Sequence, residues 1–293
     1  MLTSPAKPLL KDVRRALARG GLTGQGYLVA ETFHLLEEAL RSDIDIKMVL
    51  TAESVHSAVR DHVRRLPGIR VAVVDDAVFR KLADTESSQG VITLAAPPMW
   101  KLEHTLRGQS LVVALDGVQD PGNAGSIVRA AEAFGATGVL FTKGTVSPFN
   151  PKTLRASAGS LFRLPFVYGL DAELARAALQ QRQIAVYATM PPVGRAPWSA
   201  AGPLAGLSAP ATNSRALLEG WPGGQPRTGG AAPPDLRQKC ALVIGSEAHG
   251  VSEPLRSGAI GLTIPTVGVE SLNAAVAAGI LLYEARRQRA LAS

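Results

Sequence analysis

Short apolar runs alternate along this chain with segments in which apolar residues recur every three or four positions. Such runs indicate buried strands, and such segments indicate amphipathic helices. In the first hundred residues the predicted strands are 26–30, 48–50, 71–74 and 91–95, and the predicted helices are 11–19, 32–41 and 54–66. This order predicts a small α/β/α domain.

A second alternation begins at Ser110. Its predicted strands are 111–115, 138–141, 165–168, 184–188, 241–244 and 261–264, and its predicted helices are 124–134, 171–183 and 272–288. The run Leu111–Leu115 has no polar position, which is typical of a strand covered on both faces. For the last helix we expect an apolar face that includes Leu272, Val276, Ile280 and Tyr283.

Two late strands each end in a loop rich in glycine and serine. The first is followed by Gly245-Ser-Glu-Ala-His-Gly250, and the second by Pro265-Thr-Val-Gly-Val-Glu-Ser-Leu-Asn273, which leads into the last helix. Ligands of α/β proteins bind beyond the carboxyl ends of strands, where loops expose backbone N–H groups. The pattern therefore predicts a small-molecule site here.

Proline and glycine mark two breaks in the pattern. Pro97-Pro98 indicates a linker, and in residues 191–235 Gly and Pro make up 17 of 45 positions. That fraction is typical of low-complexity backbone, so we expect a flexible surface insertion, with Trp198 and Trp221 as local anchors.

The positive charge lies in the half that holds the predicted site. Residues 1–100 contain 13 of the 31 basic residues and 12 of the 24 acidic residues. Residues 101–293 contain the other 18 basic and 12 acidic residues, so most of the excess positive charge lies there. A basic surface fits a polyanionic partner such as a nucleic acid, although a solvated basic surface explains it equally well.

Several classes of protein lose support. The chain has one cysteine and five scattered histidines, which gives no metal-ligand spacing, and Cys240 is expected to fill core space. No apolar run is long enough to span a membrane and no signal peptide is evident, so a cytoplasmic protein is expected. Phosphate-binding and dinucleotide-binding glycine motifs and a nucleophile elbow are absent from the sequence.

Taken singly, the polar residues near the predicted site have structural explanations. Asn123 is placed to cap the helix that follows it, and Ser271 to cap the last helix. Arg129 is spaced to pair with Glu132 one turn later. Glu247 and His249 are either functional groups or ordinary loop residues. From the residues alone, the result is a two-domain α/β protein with a loop-built pocket.

Three separated segments together resemble the motifs of the SpoU/TrmH class of SPOUT methyltransferases. These are Asn123-Ala-Gly-Ser-Ile-Val-Arg129, Leu242-Val-Ile-Gly-Ser-Glu-Ala-His-Gly250 and Ile264-Pro-x-x-Gly-x-x-Ser-Leu-Asn273. The N-terminal stretch, with Asp84-Thr-Glu-Ser-Ser-Gln-Gly-Val91, is similar to RNA-binding domains of the L7Ae/L30e type. It departs from that family in Ala30-Glu-Thr-Phe-His34, where members often have a glycine between the Glu and the His.

The resemblance implies a fold and a division of the chain. It implies an α/β protein with a C-terminal SPOUT domain, built on a parallel sheet with a deep trefoil knot, after a small α/β/α N-terminal domain. The expected boundaries are 6–97 for an RNA substrate-binding domain, 98–109 for the linker and 110–290 for the catalytic domain. Knots are rare among folds, so nothing but the resemblance supports this one.

The same resemblance implies an activity. It is S-adenosyl-L-methionine-dependent methylation of a ribose 2′-hydroxyl in RNA. The first candidate substrate is 23S rRNA and the second is tRNA. The resemblance also implies a homodimer joined through the knot helices. The catalytic residues implied are Arg129, Asn123, Glu247, Ser271 and Asn273. The cofactor would be held by Gly245, Ile264, Leu272 and Thr189, with no metal, and RNA by Lys152, Arg155 and Arg163. A non-catalytic RNA-binding scaffold and a SPOUT base methyltransferase are the alternatives.

Overall fold

The computed structural model describes residues 7–64, 68–83, 88–190, 234–267, 269 and 271–291. Its N-terminal part is organised around a four-stranded sheet in the order β1-β4-β2-β3. The elements are α1 (Pro8–Arg19), β1 (Leu28–Glu31), α2 (Phe33–Arg41), β2 (Ile46–Ala52), α3 (His56–Val63), β3 (Val71–Val74), α4 (Asp76–Leu82) and β4 (Val91–Ala95).

The two faces of this sheet are covered by different helices. Leu10 and Val13 of α1 pack with Phe79 of α4 on one face. On the other face, Leu36 of α2 packs with Val59 of α3. The predicted α/β/α sandwich is therefore confirmed. Sequence periodicity missed α4, a short helix capped by Asp75, whose carboxylate accepts hydrogen bonds from the N–H groups of Ala77 and Val78.

The C-terminal part is built on a six-stranded sheet in the order β10-β8-β9-β5-β6-β7, in which every neighbouring pair is parallel. Its elements are α5 (Leu102–Thr105), β5 (Leu111–Asp116), α6 (Pro121–Ala133), β6 (Gly138–Thr142), α7 (Pro151–Ser157), β7 (Phe166–Leu170), α8 (Ala172–Gln181), β8 (Ala185–Thr189), β9 (Cys240–Gly245), α9 (Glu253–Arg256), β10 (Ile260–Leu262) and α10 (Ala274–Ala290). The predicted parallel sheet is thus confirmed.

Both faces of this sheet are covered, which explains its uninterrupted apolar strands. Alternate residues of β5 point to opposite sides: Val113 packs with Ile127 of α6 and Leu281 of α10, whereas Val112 packs with Leu179 of α8. The short helices α5 and α9 were missed by the sequence pattern, because four residues carry too little periodicity.

Two predicted helix caps are wrong. Helix α6 begins at Pro121, and Asp120 is its cap: the Asp120 carboxylate accepts from the N–H of Asn123. Asn273, not Ser271, caps α10, because its side chain accepts from the N–H groups of Ala275 and Val276. Because Asp120 and Asn273 cap these helices, the side chains of Asn123 and Ser271 are available for other contacts.

The apolar face predicted for α10 is only partly correct, because Ile280 packs against the core whereas Val276 and Tyr283 do not. The residues that it buries are Ala274, Ala278, Leu281, Leu282 and Ala285, together with Glu284 and Gln288. Val276 and Tyr283, from the predicted face, are 51% and 56% exposed. The small buried residues let α10 lie close to α6, whereas Val276 and Tyr283 remain on the surface.

Helix α7 joins the two parts of the chain. Residues Leu28, Ala30 and Leu35 of the N-terminal part belong to the same apolar cluster as Leu154 of α7. A methyl group on Gly125 of α6 would lie 2.4 Å from the carbonyl oxygen of Thr153, so glycine is required for α7 to reach α6. The N-terminal part is therefore packed, through α7, against the helix that carries Asn123 and Arg129.

The predicted insertion at 191–235 lies outside the described residues except for its last two, Pro234 and Asp235. The knot implied by the resemblance stays a prediction. Thr32 adopts a φ of 102°, in a region that side chains rarely occupy. The backbone there keeps a conformation suited to glycine.

Candidate active site

A cleft of about 580 Å³ lies beyond the carboxyl ends of β8, β9 and β10. All four residues predicted to hold the cofactor line it, namely Thr189, Gly245, Ile264 and Leu272. Ser271 and Glu247 line it as well. The cleft is thus built from the loops that the sequence pattern singled out.

Gly245 has no room for a side chain. A Cβ atom there would lie 2.2 Å from the carbonyl carbon of Gly250, because the loop between them folds back on itself. Ser246 and Gly250 close this loop by exchanging backbone hydrogen bonds of 3.1 and 2.9 Å. The Gly245 N–H donates to Thr189 Oγ1 at 3.4 Å. Glycine is needed here for the tight loop that forms one wall of the cleft.

A chain of side-chain hydrogen bonds links the three motifs. Asn273 Nδ2 donates to Asn123 Oδ1 at 2.9 Å, and Asn123 Nδ2 donates to Glu247 Oε1 at 2.8 Å. Asn273 in turn accepts from the N–H groups that open α10. Both amide donors point toward Glu247, whose carboxylate oxygen is the last acceptor of the chain.

Arg129 is not part of this hydrogen-bond chain. It is exposed on α6, six residues after Asn123, which corresponds to roughly 9 Å along the helix axis. The predicted pairing with Glu132 is wrong, because Glu132 instead receives two hydrogen bonds from Arg163, at 2.7 and 3.0 Å. The Arg129 side chain therefore remains accessible to a partner outside the chain.

The three basic residues predicted to bind RNA differ in their surroundings. Lys152 is exposed at the start of α7. Arg155 Nη1 lies 2.5 Å from Glu31 Oε2, and Arg163 Nη1 lies 2.6 Å from Glu38 Oε2. Both arginines thus bind carboxylates of the N-terminal part. Their predicted contact with RNA is not tested by these pairs.

The pair between Arg163 and Glu132 shifts the pKa of both groups. Burial raises the pKa of the Glu132 carboxyl, but hydrogen bonds from Arg163 and Ser160 outweigh it and leave that pKa below its usual value. The pKa of Arg163 is raised, chiefly by its hydrogen bond to Glu132. Both shifts favour the charged pair.

Asp116, at the end of β5, is a structural residue of the site that the sequence reasoning missed. It is 6% exposed, and its two carboxylate oxygens accept from the Ser252 N–H at 2.6 Å and from Thr142 Oγ1 at 3.0 Å. It thereby ties together the loops after β5, β6 and β9. An acidic residue directly after an all-apolar run was the signal available in the sequence.

Cys240 is fully buried in β9, as predicted, and burial raises the pKa of its thiol. Within the described residues, no three His, Cys, Asp or Glu side chains are grouped as metal ligands. No helix in the described ranges is long and apolar enough to cross a membrane.

The fold and the converging loops define an α/β protein with a cofactor cleft at the ends of parallel strands, next to an N-terminal sandwich. The chain belongs to the SpoU rRNA methylase family, whose model matches residues 110–283. Residues 7–93 match the model of the MRM3-like substrate binding domain. These matches confirm the resemblance inferred from the three motifs.

Two relatives cover almost the whole chain. A protein described as an uncharacterized tRNA/rRNA methyltransferase of Synechocystis sp. is 32% identical, over 100% of this chain and 95% of its own length. The 23S rRNA (guanosine(2553)-2′-O)-methyltransferase of Bacillus subtilis is 30% identical, over 94% of this chain and 95% of its own.

Solved structures agree with these matches. An RNA 2′-O ribose methyltransferase superposes with a TM-score of 0.73 at 27% identity and covers 99% of both chains. An AdoMet-bound rRNA methyltransferase from Sinorhizobium meliloti superposes with a TM-score of 0.69 at 26% identity, over 98% of this chain and 97% of its own.

Proposed function

We propose that this protein transfers a methyl group from S-adenosyl-L-methionine to a ribose 2′-hydroxyl of ribosomal RNA, with 23S rRNA as the first candidate. The observation that carries the proposal is the hydrogen-bond chain Asn273–Asn123–Glu247, which borders the cleft and draws one residue from each motif of a SpoU-family chain. Relatives named as 23S rRNA 2′-O-methyltransferases support the substrate.

The cleft suits S-adenosyl-L-methionine in size and in lining. Gly245 leaves backbone groups uncovered, and Ile264 and Leu272 provide apolar surface on which an adenine ring can lie. Thr189 lines the cleft beside Gly245, whose N–H donates to its hydroxyl oxygen. When bound, the cofactor supplies an electrophilic methyl group on a sulfonium centre. The protein must hold the 2′-oxygen in line behind that methyl group.

Arg129 is proposed to bind the RNA phosphate next to the target ribose and to polarise its hydroxyl group. A guanidinium stays protonated, with a pKa above about 12, so Arg129 is not proposed as the base. Asn123, Glu247, Asn273 and Ser271 are proposed to orient the ribose and the loops around it. The exposed position of Arg129 on α6 supports this division of roles.

RNA is proposed to reach the site across α7 and the N-terminal part. Lys152 is exposed on α7 and has no acidic neighbour in the sequence from 143 to 164. Arg155 and Arg163 are proposed to contribute positive potential while they hold carboxylates of the N-terminal part. The N-terminal part would then select the RNA by its shape.

A homodimer through α10 is part of the proposal. The helix exposes Val276 and Tyr283, at 51% and 56%, on the side that its own core does not cover. Apolar surface of this kind is typical of a protein–protein contact. The reaction is proposed to take place in the cytoplasm.

The proposal is tested by incubating the protein with an unmodified 23S rRNA transcript and methyl-labelled S-adenosyl-L-methionine. Alkaline hydrolysis then separates the two kinds of product, because a 2′-O-methyl group protects the adjacent phosphodiester. We expect the label in alkali-stable dinucleotides. Label in the mononucleotides that alkali releases would indicate a base methyltransferase. Binding of RNA without binding of the cofactor in calorimetry would indicate a scaffold.

A further inference from the structure

A stripe of basic side chains runs along one face of helix α1. Lys11, Arg15 and Arg19 recur every four residues, so they lie on one side of the helix at intervals of about 6 Å along its axis. Arg14 is exposed on the same side, whereas Val13, on the opposite side, is fully buried. These four basic residues, called the α1 stripe below, therefore face away from the protein.

The charge of the α1 stripe is not neutralised within the described part of the chain. Among the described residues, no acidic side chain forms an ion pair with any of its four members. Asp12, the acidic residue of α1, uses its two carboxylate oxygens to accept from the Gly24 N–H, at 2.8 and 2.9 Å. The α1 stripe is thus available to a polyanion outside the chain.

The positive surface continues from α1 onto helix α7. A Cβ atom on Gly20, the residue after α1, would lie 2.5 Å from Asn150 Nδ2. Asn150 caps α7 by accepting from the N–H of Lys152 at 2.9 Å. Lys152 is exposed and forms no ion pair with a described residue. Basic side chains from both parts of the chain therefore belong to one surface.

An exposed aromatic ring adjoins this surface. Tyr168 of β7 is 53% exposed, and its ring centroid lies 5.0 Å from that of Phe149, with an interplanar angle of 85°. Phe149 directly precedes Asn150, so the tyrosine ring lies beside the start of α7. Phe166, two residues before Tyr168, packs in the same apolar cluster as Ile127 of α6. Tyr168 thus lies on the face of the sheet that carries the proposed catalytic arginine.

Cations next to an exposed aromatic ring suit single-stranded RNA. The phosphates of a single strand bind basic side chains, and its unpaired bases stack on aromatic rings. A double helix also has phosphates for the α1 stripe, but its bases are stacked on one another and present no free face to Tyr168. The contacts of Tyr168 with Phe149 and Phe166 hold the ring in place, so stacking a base costs little conformational entropy.

We infer that an unpaired segment of the RNA substrate binds along the α1 stripe and Lys152, with one of its bases stacked on Tyr168. This inference rests on the proposed function and adds the form of RNA that the surface binds. Strand β7 lies two strands from β5, about 10 Å away, and β5 leads into the loop before Asn123. The unpaired segment therefore adjoins the acceptor nucleotide.

The first test asks whether Tyr168 binds a base. Its probes are single-stranded oligouridine and an abasic oligoribonucleotide of the same length, which has the phosphates without the bases. In fluorescence anisotropy the wild type should bind oligouridine more tightly, by about five-fold or more. Tyr168→Phe keeps the ring and should retain this preference, whereas Tyr168→Leu should reduce it to less than about two-fold. The ratio of two affinities of one variant does not depend on the fraction that is folded.

Leu174→Ala is the control for the first test, because Leu174 is 63% exposed on α8, which covers the other face of the sheet. It should behave as the wild type does. An RNA duplex of the same length separates the two forms of RNA. Tyr168→Leu should leave the dissociation constant of the duplex unchanged, because paired bases cannot stack on the ring.

The second test asks whether the α1 stripe binds phosphate. The double variant Arg15→Gln/Arg19→Gln should reduce the slope of log K against log salt concentration for oligouridine by about 1.4, since each phosphate contact of a single strand contributes about 0.7. Arg60→Gln/Arg64→Gln is the matched control. It removes the same charge from α3 and its C-cap, on the other face of the N-terminal sheet, and should leave the slope unchanged.

The inference is overturned if Tyr168→Leu prefers oligouridine as strongly as the wild type does, or if it weakens binding of duplex and single strand alike. It is also overturned if the two double variants have the same slope. None of these measurements needs the cofactor or turnover, so methyl transfer can persist when the inference fails. Binding as expected, in a protein that transfers no methyl group, would overturn the proposed function alone.

Discussion

Glu31 and Arg155 form an ion pair between the N-terminal sheet and helix α7, with Glu31 Oε2 2.5 Å from Arg155 Nη1. The Glu31 side chain is only 4% exposed, so its charge depends on partners within the protein. Arg163 likewise binds Glu38 and Glu132, one from each part of the chain. Arginines predicted to bind RNA therefore also hold the two parts together.

Arg155→Ala is expected to lower the free energy of unfolding by about 3 kcal/mol, because it removes a cationic partner from a buried carboxylate. Urea titration followed by circular dichroism measures the change. Arg155→Lys should lower the free energy of unfolding by less, because it keeps the positive charge. Arg182→Ala, at an exposed position after α8, is the control and should change stability by less than about 0.5 kcal/mol. A loss equal to that of the control would contradict a stabilising role for the pair.

Lys152→Ala is expected to weaken RNA binding without affecting stability. Loss of one phosphate contact should reduce the slope of log K against log salt concentration by about one unit or slightly less. Fluorescence anisotropy with labelled RNA over a salt series measures the slope. Lys81→Ala, on the surface of α4, should leave it unchanged. Identical slopes for both variants would remove Lys152 from the RNA-binding surface.

Much of the fold followed from the sequence because the parallel strands are buried on both faces. Leu111–Leu115 and Ala241–Ile244 are unbroken apolar runs, and the structure pairs them in register as neighbours in the sheet. Helix starts were harder to predict. Asn123 and Asp120 both suit a cap, and Pro121 at the first helical position settles the choice in favour of Asp120.

The site was only partly predictable, because its contacts join distant residues. Asn123 and Asn273 are 150 positions apart, and no periodicity indicates that their side chains meet. Only the resemblance to a family placed them together. Arg163 shows that the partners of a charged residue are equally hard to predict. No acidic residue is near it in the sequence, yet the fold brings Glu38 and Glu132 within hydrogen-bond distance.

Arg129→Ala is expected to reduce methyl transfer at least 100-fold, which corresponds to about 2.7 kcal/mol of transition-state stabilisation. Cofactor binding should stay near that of the wild type, since Arg129 does not line the cleft. Single-turnover kinetics and calorimetry with S-adenosylhomocysteine separate the two effects. Arg129→Lys should recover little activity, because an ammonium group lacks the planar fork that binds phosphate. Substantial turnover by Arg129→Ala would refute the assignment.

Gly245→Ala is expected to weaken cofactor binding at least ten-fold, or about 1.4 kcal/mol. The added methyl group would overlap the backbone of Gly250 and Val251, so the loop that walls the cleft must move. Calorimetry with S-adenosylhomocysteine measures the loss. Gly21→Ala is the control, because a Cβ at Gly21 meets no atom within 4 Å. Normal affinity in Gly245→Ala would show that this wall does not bind the cofactor.

His62 gives the N-terminal part a stability that depends on pH. Its pKa is raised, first by a hydrogen bond from the ring to the Ala58 carbonyl and also by Glu37, whose Oε1 lies 3.0 Å from Nε2. With both ring nitrogens protonated, the imidazolium donates to Ala58 and Glu37 at once. Because the folded-state pKa lies above the unfolded one, this stabilisation is complete below the unfolded value of about 6.5 and is lost as the pH rises through the folded value.

Glu37→Gln removes the carboxylate partner of His62 and keeps the size of the side chain. At about pH 5.5 the wild type should be more stable than this variant by less than about 1 kcal/mol, since both groups are roughly one-third exposed and screened by solvent. At about pH 8.5 the difference should vanish, because the neutral ring no longer attracts a carboxylate. Thermal unfolding at both pH values measures it, with His62→Gln and the double variant completing the cycle. A coupling energy that grows with pH would have the wrong sign for this pair.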